Sequence, residues 1–165
     1  MITVTLEINV AVHDDYTSFS AQEKTLFAAA KAACDDAYAP YSNFHVGAAV
    51  LLENDEIFKG NNQENAAYPS GLCAERVALF YASAVRPNIA IKALAITVDY
   101  SNTDFDEIVS PCGGCRQAIA EYEHKFKQNI TIYVLGRNDK VFVIKSMKDL
   151  LPFLFSGDIL KAFNK

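Results

Sequence analysis

The chain has 165 residues, of which 51% are hydrophobic and 21% are charged, and its formal net charge is −5 at pH 7. A chain of this length can bury one substantial core, so we expect a single domain over residues 1–165. Because the mildly acidic sequence has no run of lysine or arginine and no apolar stretch near the ~20 residues that span a bilayer, we expect neither a nucleic acid nor a membrane as a partner.

The first predicted element is an N-terminal strand. Apolar side chains alternate strictly with polar side chains or alanine from Ile2 to Val12, which is typical of a half-buried strand. The same stretch has neither a basic leader nor a continuous apolar segment, so we expect no signal peptide and a cytoplasmic protein. In a reducing cytosol, clustered cysteines indicate a bound metal more often than a disulfide.

A helix and five further strands follow. Ser20 and Glu23 form a capping-box pattern at the start of a helix, which we expect to end near Tyr38 because Pro40 disfavours helical geometry in the residue before it. Alternating or continuous apolar runs predict strands over Val46–Leu52, Ile57–Lys59, Ile91–Val98, Ile130–Leu135 and Val141–Ile144.

Two more helices and a tail complete the pattern. Helices are predicted to begin at Cys73 and at Cys112, and an acidic loop over residues 99–110 precedes the second of them. A short helix is expected after Ser146. The tail from Phe153 onward is unusually apolar, so it either docks on the core or packs at a subunit interface. The order of elements predicts an α/β fold, with helices layered against a mixed sheet.

The strongest chemical signal is a pair of cysteine clusters. Cys112 and Cys115 lie three residues apart, so their sulfur atoms share one face of a helical turn and can reach the same ion. Cys73 can supply a third thiolate, which leaves a fourth tetrahedral position open for water, as in catalytic zinc sites. A disulfide or a redox pair is the alternative for Cys112 and Cys115, but it leaves Cys73 and Glu75 unexplained.

Residues beside the cysteines suggest the chemistry. Glu75 follows Cys73 by two residues and is the predicted proton carrier for a water molecule at the metal. Both clusters open helices, whose positive N-terminal ends favour thiolates. Arg76 is on the same helical face as Cys73 and can offset thiolate charge, with a salt bridge at the surface as the alternative. Gly113 and Gly114 are expected to let the backbone approach the metal or the substrate closely.

The sequence resembles the cytidine deaminase family in its small homotetrameric, three-cysteine form. The motifs that carry the resemblance are Cys73-Ala74-Glu75-Arg76, Pro111-Cys112-Gly113-Gly114-Cys115-Arg116-Gln117, Tyr41-Ser42-Asn43-Phe44, Val46-Gly47-Ala48-Ala49, Gly60, Glu64-Asn65-Ala66, Tyr68-Pro69 and Leu150-Leu151-Pro152. The resemblance implies a three-layer fold with a mixed central sheet flanked by helices. Residues 1–15, with the extra N-terminal strand, lie outside the family pattern and are expected to lengthen a sheet edge or an interface.

The resemblance also implies the roles of the metal-site residues. Cys73, Cys112 and Cys115 would bind one Zn²⁺ per subunit. Glu75 would move protons between water and the substrate. Arg76 would donate hydrogen bonds to the zinc-ligating thiolates and balance their charge.

Six residues are implied as substrate contacts, namely Phe44, Asn62, Glu64, Tyr68, Ala74 and Phe155. Asn62 and Glu64 match the pair that binds the ribose 3′-hydroxyl group, and Phe44 matches an aromatic residue of the base pocket. Tyr68 and Phe155 match residues that reach toward the active site of a neighbouring subunit. His45 stands where the family often has proline, and we assign it no role.

The implied reaction is hydrolytic deamination of cytidine and 2′-deoxycytidine, with release of ammonia, in pyrimidine nucleoside salvage. One alternative is deamination of another aminated base, such as blasticidin S or a base in a polynucleotide. The pair Asn62 and Glu64 favours a nucleoside, and the lack of a basic groove disfavours a polynucleotide. A second alternative is a non-catalytic zinc-binding module, which would give no reason for Glu75.

Overall fold

One mixed β-sheet forms the centre of the computed structural model, which describes residues 1–101, 103–105 and 107–163. Residues 102, 106, 164 and 165, which fall in the predicted acidic loop and at the end of the predicted domain, lie outside the described residues. The helices and strands are β1 (Val10–His13), α1 (Ala21–Cys34), β2 (Val46–Leu52), β3 (Ile57–Asn61), α2 (Ala74–Val85), β4 (Ile91–Val98), α3 (Gly113–Phe126), β5 (Thr131–Leu135), β6 (Val141–Ile144) and α4 (Gly157–Phe163). Short 3₁₀ turns cover Tyr68–Ser70, Arg137–Asp139 and Met147–Asp149.

The six described strands lie in the order β1-β6-β5-β4-β2-β3. Within this part of the chain, β4 and β5 pair in parallel and the other neighbours are antiparallel. Helix α1 covers one face through Leu26, Phe27 and Ala30, and helices α2 and α3 cover the other. The predicted three-layer α/β fold is therefore confirmed. Among the described residues, no helix combines the length and the apolar character that crossing a membrane requires.

The first helix begins as predicted but ends earlier. Ser20 accepts a hydrogen bond from the Glu23 amide, and the Glu23 carboxylate accepts one from the Ser20 amide over 2.8 Å, which completes the capping box. Helix α1 ends at Cys34, not near Tyr38. The reason is that the Tyr38 backbone bonds to residues 62 and 64 of the polar loop, so it is not available to a helix.

The N-terminal strand is present but much shorter than predicted. Only Val10–His13 pairs with another strand, and its partner is β6. Strand β6 has four residues and ends at Ile144, after which Ser146 caps a 3₁₀ turn. Residues 1–9 therefore extend past the end of β6, which is the only partner of β1 among the described strands. The expectation of a half-buried strand from Ile2 is wrong for a single chain.

Helix α2 packs directly on the backbone of β3. A Cβ atom at Gly60 would lie 2.4 Å from the Ala78 nitrogen and 2.7 Å from the Ala74 carbonyl oxygen. Both distances are shorter than real side chains tolerate, so glycine is required for this close approach. The contact fixes the first turns of α2 against the sheet, immediately after Cys73.

Helix α3 is held at its C-terminal half by a buried carboxylate. Glu123 is 7% exposed and accepts hydrogen bonds from the Ile130 amide over 2.8 Å, the Met147 amide over 3.0 Å and the Ser146 hydroxyl over 3.0 Å. Hydrogen bonds to a buried charged group are among the stronger ones in proteins. Glu123 therefore connects α3 to the start of β5 and to the turn after β6.

The apolar tail divides into two parts. Leu154 packs against the core, as do Leu150 and Leu151 immediately before the tail. Five other apolar side chains remain exposed on a single chain, namely Phe153, Phe155, Ile159, Leu160 and Phe163. Docking on the protein's own core thus accounts for Leu154 and not for these five side chains.

Candidate active site

Three cysteine sulfur atoms meet where two helices begin. Cys73 is the N-cap of α2, Cys112 is the N-cap of α3, and Cys115 is buried in the first turn of α3. The Sγ atoms of Cys73 and Cys112 are 3.7 Å apart, those of Cys112 and Cys115 are 3.5 Å apart, and all three lie within 4.8 Å of one another. The structure therefore confirms that the two cysteine clusters converge.

The spacing of these sulfur atoms fits a zinc ion. Zinc–sulfur bonds of ~2.3 Å in a tetrahedron place the sulfur atoms about 3.8 Å apart. A disulfide would need a separation of about 2.05 Å, and each of the four cysteines, all in the described ranges, is a free thiol. Three sulfur donors with a fourth side facing a cavity can hold zinc and leave one position for water.

Arg76 lies against the cluster. Its Nη2 atom donates a hydrogen bond to Cys73 Sγ over 3.6 Å. The pKa of the Cys73 thiol is lowered to about 5. The main cause is a hydrogen bond from the Cys115 thiol; burial opposes the shift, and Arg76 adds to it. The same contact and burial raise the pKa of Cys115. The guanidinium therefore favours negative charge on the Cys73 sulfur, and it forms no ion pair with a carboxylate among the described residues.

Glu75 is a buried acid beside the sulfur atoms. It is 5% exposed and lies in the first turn of α2, where it lines the same cavity as Cys73 and Cys112. Burial, followed by the charge of Cys73, raises the pKa of its carboxyl group. A carboxyl group with a raised pKa releases its proton closer to neutral pH, which suits general acid–base chemistry.

The cavity itself has a volume of about 520 Å³, which is within the range of small-molecule pockets. Nine of the predicted site residues line it, namely Phe44, Asn62, Glu64, Tyr68, Cys73, Ala74, Glu75, Arg76 and Cys112. Cys115 is buried in α3 and does not line it. The cavity thus brings Cys73, Cys112 and Glu75 together with the polar and aromatic side chains of Asn62, Glu64 and Phe44.

Asn62 and Glu64 also support the loop that carries Phe44. The Asn62 side chain accepts from the Val46 amide and donates to the Phe44 carbonyl oxygen, each over 2.8 Å. The Glu64 carboxylate accepts from the Tyr41 amide over 2.9 Å. The two polar residues therefore fix one wall of the cavity in addition to facing it.

Ser42 is a site residue that sequence reasoning missed. Its hydroxyl donates to Glu64 and accepts from the Phe44 amide over 3.0 Å. The Ser42 hydroxyl, and then the Tyr41 amide, lower the pKa of the Glu64 carboxyl group. A serine that bonds the amide two residues later is a known turn pattern, and its position after Pro40 was the available signal.

One predicted substrate contact, Phe155, is not seen at the cavity of a single chain. Phe155 does not line it; its carbonyl oxygen accepts from the Gln117 side chain over 2.7 Å, and its side chain is 55% exposed. A Cβ atom at Gly113 or Gly114 would meet no atom of the described chain within 4 Å, so the expected close approach of these glycines to a metal or a substrate stays a prediction. Tyr68, at 80% exposure, lies at the rim.

Comparisons with known proteins agree with one another. The model of the cytidine and deoxycytidylate deaminase zinc-binding region matches residues 20–130. A cytidine deaminase of Sporosarcina psychrophila is 48% identical over 136 residues, which cover 82% of this chain and 92% of that protein. A probable cytidine deaminase of Dictyostelium discoideum is 36% identical over 127 residues, covering 76% of this chain and 78% of that one.

Solved structures give the same result. The crystal structure of a cytidine deaminase from Burkholderia pseudomallei superposes with a TM-score of 0.66 at 38% identity, over 80% of this chain and 98% of that chain. The Mycobacterium tuberculosis cytidine deaminase superposes with a TM-score of 0.64 at 28% identity, over 82% of this chain and 98% of that chain.

Proposed function

This chain belongs to the cytidine and deoxycytidylate deaminase family, and we propose that it hydrolyses cytidine and 2′-deoxycytidine to uridine and 2′-deoxyuridine with release of ammonia. The observation that carries the proposal is the buried Glu75 carboxyl group beside three convergent sulfur atoms on one cavity. In the cell, the reaction would take place in the cytoplasm and serve pyrimidine nucleoside salvage.

Cys73, Cys112 and Cys115 are the proposed ligands of one zinc ion per subunit. Their sulfur spacing supports a tetrahedral ion with three protein ligands. Zinc bound there supplies Lewis acidity that makes water nucleophilic near neutral pH. Three thiolates exceed the charge of the ion, and the N-termini of α2 and α3 together with Arg76 oppose the excess.

Glu75 is the proposed proton carrier. It takes a proton from the attacking water as the new bond forms between oxygen and C4 of cytosine. It gives that proton to N3 of the ring. It then takes the second proton from the new hydroxyl group on C4 and gives it to the departing amine, so that the C4–N bond breaks, the C4 carbonyl forms and ammonia leaves. Its burial and raised pKa support this role, because a carboxyl group must both accept and release protons during one turnover.

The substrate is assigned to the polar and aromatic residues that line the same cavity. Asn62 and Glu64 would bind the ribose 3′-hydroxyl, since a carboxylate and an amide can each bond a hydroxyl group. Phe44 would contact the base, and Ala74 would lie beside it. The cavity volume of about 520 Å³ is compatible with a nucleoside.

We assign the assembly as a homotetramer in which neighbouring subunits complete each active site. The exposure of Tyr68 and Phe155 on a single chain supports this assignment. The other exposed apolar side chains of the tail support it as well, because contiguous apolar surface on a folded chain marks an interaction site.

A substrate panel tests the assignment. The zinc-loaded protein is given cytidine, 2′-deoxycytidine, cytosine, CMP, adenosine and blasticidin S in turn, and absorbance change and ammonia are followed. We expect turnover of the two cytosine nucleosides alone. Turnover of CMP but not cytidine would overturn the nucleoside assignment.

A substitution at Glu75 separates a catalyst from a structural zinc module. Glu75→Gln keeps the shape of the side chain but cannot carry a proton, so we expect cytidine turnover to fall at least ~100-fold with zinc content unchanged. Glu121→Gln, an exposed residue on α3, is the matched control and should keep full activity. Unchanged turnover in Glu75→Gln would refute the assigned role.

A further inference from the structure

The proposed function leaves the N-terminal segment without a role. We define residues 1–9 as the N-terminal arm, which continues directly into β1. The even positions from Ile2 to Val12 are all apolar, and all six side chains are between 39% and 91% exposed. The arm pairs with no strand of the described chain, and it lies outside the family match to residues 20–130.

The pairing of β1 shows which face the apolar side chains share. Val10 lies opposite Ile144 and Val12 lies opposite Phe142. Both partners belong to the core side of the sheet that α2 and α3 cover. In an extended arm, the even positions continue this apolar face and the odd positions, which carry threonine, glutamate and asparagine, continue the opposite face.

The protein's own sheet cannot cover this face. Because β1 and β6 are antiparallel, the arm runs beyond the end of β6 at Ile144. Nine extended residues reach about 30 Å. Strand β1 is also the outermost strand of the sheet, so its outer edge has no partner among the described strands. Natural proteins seldom leave a long apolar edge of this kind open, because it pairs readily with another chain.

We propose that residues 2–12 form an antiparallel two-stranded ribbon with the same residues of a second copy of this chain. Each copy has an unpaired arm and an unpaired β1 edge. A two-fold axis between two copies lets the arm of each copy pair with the corresponding strand of the other. Residues 1–12 contain one charged side chain, Glu7, so no partner of opposite charge is called for. The ribbon would join the two sheets along their β1 edges.

Charge and side-chain pattern limit the register of the ribbon. A two-fold axis that passes through an even position keeps apolar side chains opposite apolar ones. An axis through Glu7 would also do so, but it places two glutamates directly opposite each other, which is unfavourable. The registers that remain nearest to the centre of residues 2–12 put Leu6 opposite Leu6, or Ile8 opposite Ile8.

Cysteine cross-linking tests the proposal. Leu6→Cys, Ile8→Cys and Thr3→Cys are prepared in the full chain, loaded with zinc and oxidised, and covalent dimers are measured on a non-reducing gel. We expect strong dimer formation for Leu6→Cys or for Ile8→Cys, and only the level of the unsubstituted protein for Thr3→Cys. In either register, Thr3 of one copy lies six or more positions along the ribbon from Thr3 of the other copy, which is a distance of about 20 Å or more. Failure of both central variants to exceed Thr3→Cys would overturn the proposal.

Hydrogen exchange provides a second test that does not depend on cysteine chemistry. In the pure protein we expect the amides of residues 2–9 to exchange at least tenfold more slowly than those of Leu6→Lys, which carries a charge on the apolar face. Thr5→Lys, on the polar face, should keep the protection. Rapid exchange of the arm amides in the pure unsubstituted protein would overturn the proposal. This is also the result expected if the arm binds a different protein and not a second copy of this chain. Protection without any covalent dimer would overturn it in favour of docking on the same chain.

Discussion

Arg76 donates its hydrogen bond to Cys73, the thiol at the N-cap of α2, across 3.6 Å. The Nε atom of the same guanidinium is buried and has no hydrogen-bond partner among the described residues. The positive charge of Arg76 beside Cys73 reduces the electrostatic repulsion among the three thiolates. We therefore expect Arg76 to affect metal affinity more than the stability of the fold.

Loss of this cation should weaken zinc binding. Arg76→Gln removes the charge and keeps a hydrogen-bond donor, and residues that support metal ligands typically contribute 10–100-fold to metal affinity or activity. We expect zinc affinity, measured by competition with a chromophoric chelator, to fall within that range. Arg137→Gln, outside the cavity, is the control. Equal affinity in both variants would show that Arg76 does not balance the thiolate charge.

Gly60 should tolerate no side chain. The Cβ atom of Gly60→Ala would meet the α2 backbone at 2.4 Å, so α2 must move and we expect a loss of about 1–3 kcal/mol in the free energy of unfolding. Gly113→Ala is the matched control, because its Cβ atom meets nothing within 4 Å and alanine favours a helix. Urea denaturation measures both. A Gly60→Ala variant as stable as Gly113→Ala would contradict the close contact.

Ser42 should affect substrate binding through the loop that carries Phe44. Ser42→Ala removes a hydroxyl that bonds both Glu64 and the Phe44 amide. Losing about 1 kcal/mol of support corresponds to about a fivefold rise in KM for cytidine, with kcat nearly unchanged. Ser70→Ala, an exposed serine in the neighbouring 3₁₀ turn, should leave both constants as they are. A fall in kcat with constant KM would argue against a purely supporting role.

Cys34 predicts a loss of stability at alkaline pH. Burial, followed by the charges of Asp99 and Asp35, raises the pKa of this thiol to about 11, whereas a free thiol titrates near ~8.5. Between these values the unfolded chain loses the proton and the folded chain keeps it, so the free energy of unfolding falls as pH rises.

The Cys34→Ala variant isolates this effect. From pH 8 to pH 10.5 the unsubstituted protein should lose on the order of 2 kcal/mol more than Cys34→Ala, because the variant lacks the titrating group. Both proteins are unfolded in urea at matched zinc concentration. Parallel stability profiles would show that Cys34 ionises equally in the folded and unfolded chains.

The features predicted correctly from the sequence are those that local pattern determines. The capping box at Ser20, the buried strand Val46–Leu52 and the helix starts at Cys73 and Cys112 each follow from residues within a few positions. The convergence of the cysteines required only that two helix N-termini meet on the same side of a sheet. The metal site was therefore accessible to sequence reasoning.

The features that were missed depend on distant partners. The length of β1 is set by the four residues of β6, more than 120 positions later in the sequence. Tyr38 leaves the helix because its backbone bonds to the polar loop at residues 62–64. Glu123 looks like a surface residue in the pattern of α3, and only the amides of Ile130 and Met147 explain its burial.

Glu123 and Cys115 are eight residues apart on α3, about 12 Å along the helix axis. Since the carboxylate holds backbone groups from two other segments, α3 cannot slide or turn about its axis without breaking those bonds. The positions of two of the three sulfur donors are thus set by an anchor outside the cavity. Substitutions in the loop around Phe44 or at the rim near Tyr68 would therefore leave these two sulfur positions unchanged.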